Sequence, residues 1–212
     1  MPVDFKKTDK VLYQPSSAPS IIDVPEMTFL MVDGSGNPNT STAYKTALEM
    51  LYGLSYTIKM SKMSGAQPEG YYEYVVPPLE SLWWHKGGGA IEDRLDKDCF
   101  CWTSMIRQPA FVTAETFEFF KAVHAKKKPE LDLSPMRLEK FTEGLCVQAM
   151  HFGPYDDEPA TITAMERYAA DSGYAFDLNG ARRHHEIYLA DPRKTAPEKL
   201  KTVLRYPVRK TL

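Results

Sequence analysis

The sequence predicts an α+β fold, a mostly antiparallel sheet with helices on one face. Two observations carry that expectation. The order strand, turn, helix, strand, strand occurs twice along the chain, and a further helix joins the two halves. The length, 212 residues of which 43% are hydrophobic, is enough for one substantial core without disulfides or a structural metal.

Residues 1–20 contain Pro15 and Pro19 and no sustained periodicity, and are expected to form an irregular or extended arm. Residues 27–33 are apolar and partly β-branched and stop at Gly34, Gly36 and Pro38, the pattern of a strand ending in a turn. Thr40, Ser41 and Thr42 then offer an N-cap, and Ala43, Ala47, Leu48, Leu51 and Leu54 lay an apolar stripe along a helix to about Met63. Residues 71–76 resume as strand and continue past Pro77 and Pro78 to Trp84, the prolines marking an edge or a bulge. A polar, glycine-rich connection from His85 to Asp98 leads to a strand over 99–106. Thr113 caps a helix to about Lys126, with Phe117, Phe120 and Val123 on one face and Lys126, Lys127 and Lys128 near its C-terminus, where cations are favoured. The order then repeats: strand 145–152, a turn at Gly153-Pro154-Tyr155, helix 158–171 ended by Gly173, and strands 184–189 and 202–208. The organisation expected is an arm, 1–20, and one domain, 21–212, of two repeats (about 21–110 and 135–210) joined by a connector helix at about 113–126.

Composition excludes several classes. With 26 Lys and Arg against 28 Asp and Glu, the formal charge is −2, so no broad cationic field draws in nucleic acid or an anionic membrane. No apolar run approaches the roughly 20 residues of a spanning helix, and the Lys-rich start carries no apolar signal core. Three cysteines, Cys99, Cys101 and Cys146, fit a reducing cytoplasm, and the lone C-x-C lacks the paired spacing of zinc sites. The G-x-G at Gly34 and Gly36 meets Asn at position 39, so the dinucleotide fingerprint fails, and no phosphate-loop, nucleophile-elbow or H-E-x-x-H motif occurs.

The chemically informative stretch is 184–189. His184 and His185 are adjacent on a strand and point to opposite faces, so they do not easily share a metal. Alternation puts Ile187 and Leu189 on one face, expected against the helices, and Glu186 and Tyr188 on the other. If that second face is open, Glu186 is a solvated strand residue. If it is covered, desolvation raises the Glu186 pKa and suits the group to acid–base work or to pairing with a cation. Alternation also groups Glu80, Leu82 and Trp84 on one face, and Phe100, Trp102 and Ser104 on a face of the next strand. The two tryptophans read equally as core packing or as the wall of an apolar cleft.

Gly153-Pro154-Tyr155, a helix closed by Gly173-Tyr174, Glu186-Ile187-Tyr188, Asp191-Pro192-Arg193, the segment 197–200 and the closing Tyr206-Pro207-Val208 together resemble the C-terminal half of a GyrI-like domain. Residues 78–84 and 102–109 further resemble a stand-alone subgroup of that family, and the likeness covers about residues 21–210. It implies two strand-helix-strand-strand modules in a pseudo-twofold arrangement, with helices on one face of an antiparallel sheet and a ligand cleft on the other. The family includes effector domains of multidrug-responsive transcription regulators, in which a buried glutamate on the penultimate strand contacts bulky, often cationic aromatic ligands. Here that position is Glu186. Only the arm precedes the first strand, so a regulator with its own DNA-binding domain is not expected.

The stand-alone subgroup implies hydrolysis of the cyclopropane in DNA-alkylating natural products of the duocarmycin type, within an aromatic cage. On that likeness Glu186 orients or deprotonates the water. Trp84, Trp102, Phe111 and Tyr188 form the cage, with Tyr56, Phe152 and His151 as further ligand-binding candidates. Tyr188 alternatively donates a hydrogen bond to the ligand carbonyl. The expected partner is a small aromatic or polycyclic xenobiotic in the cytoplasm, with no cofactor, metal, nucleic acid or membrane. The competing class is a non-catalytic binder that sequesters such molecules.

Overall fold

A computed structural model describes residues 1–87 and 96–211. The long strand β1 (Ser20–Ser35) leads into helix α3 (Thr42–Lys59), where the Ser41 hydroxyl accepts from the Tyr44 amide as an N-cap. Strands β2 (Leu79–His85) and β3 (Phe100–Arg107) complete the first module, and α4 (Ala114–Lys127), capped by Thr113, joins it to the second. That module runs β4 (Arg137–Phe152), α5 (Glu158–Asp171), a short β5 (Tyr174–Phe176), β6 (His184–Tyr188) and β7 (Lys201–Lys210). Pro77 and Pro78 stop the strand expected over 71–76 from entering the sheet, since neither offers an N–H to a ladder; only Tyr74 forms an isolated bridge, to Val3. The expected connection from His85 to Asp98 lies in part outside the described residues.

The fold is the expected α+β class, and its sheet goes further than a sheet by closing. β1 pairs with β3, β3 with β2, β2 with β6, β6 with β7, β7 with β4 and β4 with β1, every pair antiparallel, while β5 hangs on the far end of β7. Each module supplies three strands. The modules meet along two seams, β1 with β4 and β2 with β6.

Alternation then sorts side chains into a barrel interior and an outer face. The interior holds Phe29, Met31, Leu82, Met105, Cys146, Met150, Ile187 and Val203. Outside, α3 packs on Leu30, Val32, Trp102 and Ile106, and α5 packs on Val147, Ala149, Leu204 and Tyr206. The arm is not irregular. Residues 5–8 and 10–13 form two single helical turns, α1 and α2, and Phe5, Leu12 and Tyr13 pack into the barrel core, where their burial stabilises the arm, while Val11 stays exposed.

Between these apolar residues runs a buried ionic cluster. His185 faces carboxylates on both ring nitrogens, Nδ1 to Glu143 at 3.0 Å and Nε2 to Glu80 at 3.0 Å. Arg205 donates to Glu143 (3.3 Å) and Gln148 (3.0 Å), and the Tyr13 hydroxyl donates to Glu80 (3.0 Å). Arg205 also donates to the Leu12 carbonyl and Gln148 to the Val11 carbonyl, so the arm is tied to the same cluster. Burial alone lowers the His185 pKa, but the charge and hydrogen bond of Glu143, followed by Glu80, outweigh it and raise it to about 9. Burial pushes Glu143 up, and His185 and Arg205 pull it down to about 2. Two carboxylates thus face an imidazolium and a guanidinium.

Candidate functional site

Each helix covers its own module, and the β2–β6 seam between them is left uncovered. A cleft of about 1560 Å³ opens there, walled by Tyr44, Leu48 and Tyr52 of α3 and by Tyr155, Glu158 and Ile162 at the start of α5, with Trp83, Phe100, Glu186 and Tyr188 on its strands. The cleft therefore lies on the face that carries the helices, not on the opposite one. The alternation expected along β6 holds with its faces exchanged: Ile187 enters the barrel interior, while Glu186 and Tyr188 look out between α3 and α5. Closure explains the exchange, because in a closed ring the second face of the sheet is the interior and is filled with side chains.

At the floor of the cleft the polar groups are linked. Trp83 Nε1 donates to the Tyr188 hydroxyl at 2.8 Å, Tyr188 donates to Glu186 Oε2 at 2.9 Å, and His184 Nε2 donates to Glu186 Oε1 at 2.8 Å. Both carboxylate oxygens are thereby fixed by a donor, and the Glu186 side chain is 12% exposed, towards the cavity. Burial, then the Glu186 charge, pushes the Tyr188 phenol far up, so it stays protonated. Burial also raises Tyr44, against opposing hydrogen bonds and with help from Glu186, to about 12. Glu158, His184 and Glu186 bring one ligand atom each within 4.8 Å of one another, a set that could hold a divalent cation. The His184–Glu186 hydrogen bond accounts for one of these approaches without an ion.

The expected site residues separate in space. Glu186 and Tyr188 line the cleft, and Tyr56 stands at its rim, 50% exposed and stacked on Tyr52. Trp102 is on the cleft side of the sheet but 1% exposed, packed edge-on under Tyr44 and over Gly34, where a Cβ would lie 2.2 Å from the indole; it is core. Trp84 points to the other face of its strand and emerges at the margin of the cleft, with the Arg183 guanidinium 3.2 Å from its ring. Phe111 is buried in the core under α3, against Tyr71, Tyr72 and Tyr74, and does not line the cleft. His151 is buried against α5, accepting from Thr161 and donating to the Pro154 carbonyl, and Phe152 lies at the barrel mouth beside Lys201. These last four do not join Glu186 in the cleft floor. In their place stand Trp83, directly paired with Trp102 in register, and Tyr155, whose ring meets Tyr188 edge-on at 5.7 Å. Glu158, buried at the first position of α5, is a second acid of the floor.

The GyrI-like small molecule binding domain family matches residues 17–209. The chain belongs to the GyrI-like family. Its fold is that of a GyrI-like small-molecule-binding domain. An uncharacterized conserved protein from Listeria innocua superposes with a TM-score of 0.92 at 49% identity, over 98% of this chain and 100% of that one. A hydrolase from Listeria innocua superposes with a TM-score of 0.90 at 47% identity, again over 98% and 100%. The C-terminal domain of EcmrR, at 12% identity and a TM-score of 0.53 over 91% of this GyrI-like chain and 98% of that one, shares the fold alone. No curated protein sequence matches significantly. Among the described residues no helix is long and apolar enough to cross a membrane.

Proposed function

We propose that this GyrI-like protein hydrolyses the cyclopropane ring of flat, DNA-alkylating xenobiotics of the duocarmycin type. The observation that carries the reading is Glu186: a carboxylate held on both oxygens by donors, its one open side facing an aromatic-walled cleft. Tyr44, Tyr52, Trp83, Phe100, Tyr155 and Tyr188 offer ring faces and edges to a polycyclic ligand. Stacking excludes bulk water and sets the strained carbon beside one ordered water, which Glu186 orients and deprotonates; such positioning is worth several kcal/mol. The hydrolase from Listeria innocua, at 47% identity over nearly the whole chain, supports hydrolytic chemistry.

Glu186→Gln keeps the shape of the side chain and removes the base. Ligand binding is expected to stay within about tenfold while the single-turnover hydrolysis rate falls by roughly 100-fold or more. An unchanged single-turnover rate would remove Glu186 from the mechanism. A small amount of protein against excess cyclopropane substrate separates hydrolysis from sequestration. The second acid of the floor, Glu158, favours the sequestering reading for cationic ligands, and in that case consumption stops near one equivalent.

A further inference from the structure

Opening a cyclopropane that is conjugated to a ring carbonyl places negative charge on the carbonyl oxygen, so the cleft needs a donor for it. Tyr188 is the donor expected from the sequence, but its proton goes to Glu186 and its lone pair takes the Trp83 N–H. The Tyr44 hydroxyl lies among those of Ser81, Ser104 and Tyr188, and the Tyr52 oxygen lies against the Leu79 amide. Tyr56 is at the rim. Among the described residues nothing hydrogen-bonds the hydroxyl of Tyr155, which lines the cleft next to Glu158 and in edge contact with Tyr188. Tyr155 is held there by structure on both sides. Gly153, at φ +120°, and Pro154 turn the chain out of β4, and the 3-10 turn Tyr155–Asp157 runs straight into α5.

We propose that Tyr155 is the hydrogen-bond donor that stabilises the ligand oxygen on which charge develops, a catalytic residue of the same cleft as Glu186. The inference rests on the hydrolytic reading. In the step, the water oxygen bonds to the cyclopropane CH2 as the CH2–spiro carbon bond breaks, and that electron pair moves through the ring to the carbonyl oxygen, which becomes a phenolate. Glu186 takes one proton of the water. Tyr155 keeps its proton and donates a hydrogen bond to the phenolate, which solvent protonates after release while Glu186 returns its proton to solvent; the net change is addition of one water. Burial and the charge of Glu186 raise the Tyr155 phenol above its usual range, as suits a donor that does not ionise.

Tyr155→Phe removes the hydroxyl and keeps the ring against Tyr188, with folding checked by thermal melting. The expected result is a single-turnover rate about 100-fold lower, with ligand affinity changed by less than about threefold. A substrate series with increasingly acidic phenol products adds a readout that packing does not move: the ratio of wild-type to variant rates shrinks as the product phenol becomes more acidic. A wild-type protein that consumes only one equivalent overturns the hydrolytic reading itself. A wild-type protein that turns over, with the variant within about threefold of it or with a ratio constant across the series, overturns the role of Tyr155 alone.

Discussion

Strand β6 has two sides, and they solve the problem of buried polar groups in opposite ways. Inwards, His185 sits between Glu80 and Glu143, and Arg205 closes the set, so every charge has a counter-charge from the protein. Outwards, one residue along, Glu186 is bonded by His184 and Tyr188 and still faces an open cavity. The same residue types, a histidine and carboxylates a hydrogen bond apart, build a structural lock on one face and a candidate reactive group on the other. What separates them is whether the last neighbour is protein or ligand.

The largest effects test the inner side. Glu143→Ala leaves two cations buried without their shared partner, and a loss of about 3–5 kcal/mol is expected in chemical denaturation. Glu186→Ala, on the side that already meets the cavity and lets water take over the His184 and Tyr188 donors, is expected to lose only about 1–2 kcal/mol. Equal losses would mean that the two sides are one structural network. The pH dependence sharpens the same contrast. His185 has a folded pKa near 9 against an ordinary 6.5, so its contribution is full below about 6.5 and is lost as pH rises through 9. Glu143 has a folded pKa near 2 against 4.5, so its contribution is full above about 4.5 and is lost as pH falls through 2. Stability measured against pH should therefore fall on both flanks of pH 4.5–6.5, and His185→Gln should flatten the alkaline flank. An alkaline flank that survives this substitution would assign it to other groups.

How much of this could be read from the sequence depended on how local the signal was. Helix α5 runs from Glu158 to Asp171 and α4 starts behind its Thr113 cap as expected, because caps and apolar spacing act within one or two turns. The pairing of Glu186 with Tyr188 on one face needs only the period of a strand. Which face is inside is a different matter, since it follows from pairings such as β1 with β4 and β2 with β6 that join residues more than 100 positions apart. Alternation within each strand also leaves open how β2 lies on β3, and it is that pairing, across a short connection, that sets Trp83, not Trp84, opposite Trp102 on one face. Glu158 reads locally as an ordinary acid in a first helical turn, where the helix dipole favours it, and nothing nearby in sequence signals its burial beside β6.

The smallest effect expected is also the most direct test of that register. Trp83 holds the Tyr188 hydroxyl with its indole N–H, and Tyr188 in turn fixes Glu186. Trp83→Phe keeps an aromatic ring in the cleft and removes only the donor, a loss of about 1 kcal/mol, or roughly fivefold in affinity for a planar polycyclic probe measured by calorimetry. Trp84→Phe disturbs a ring at the cleft margin, covered by Arg183, and should leave the same affinity within about twofold. A larger effect at Trp84 than at Trp83 would return the ligand to the face that the sequence alone suggested, and would require the probe to sit against Arg183 instead of over Glu186.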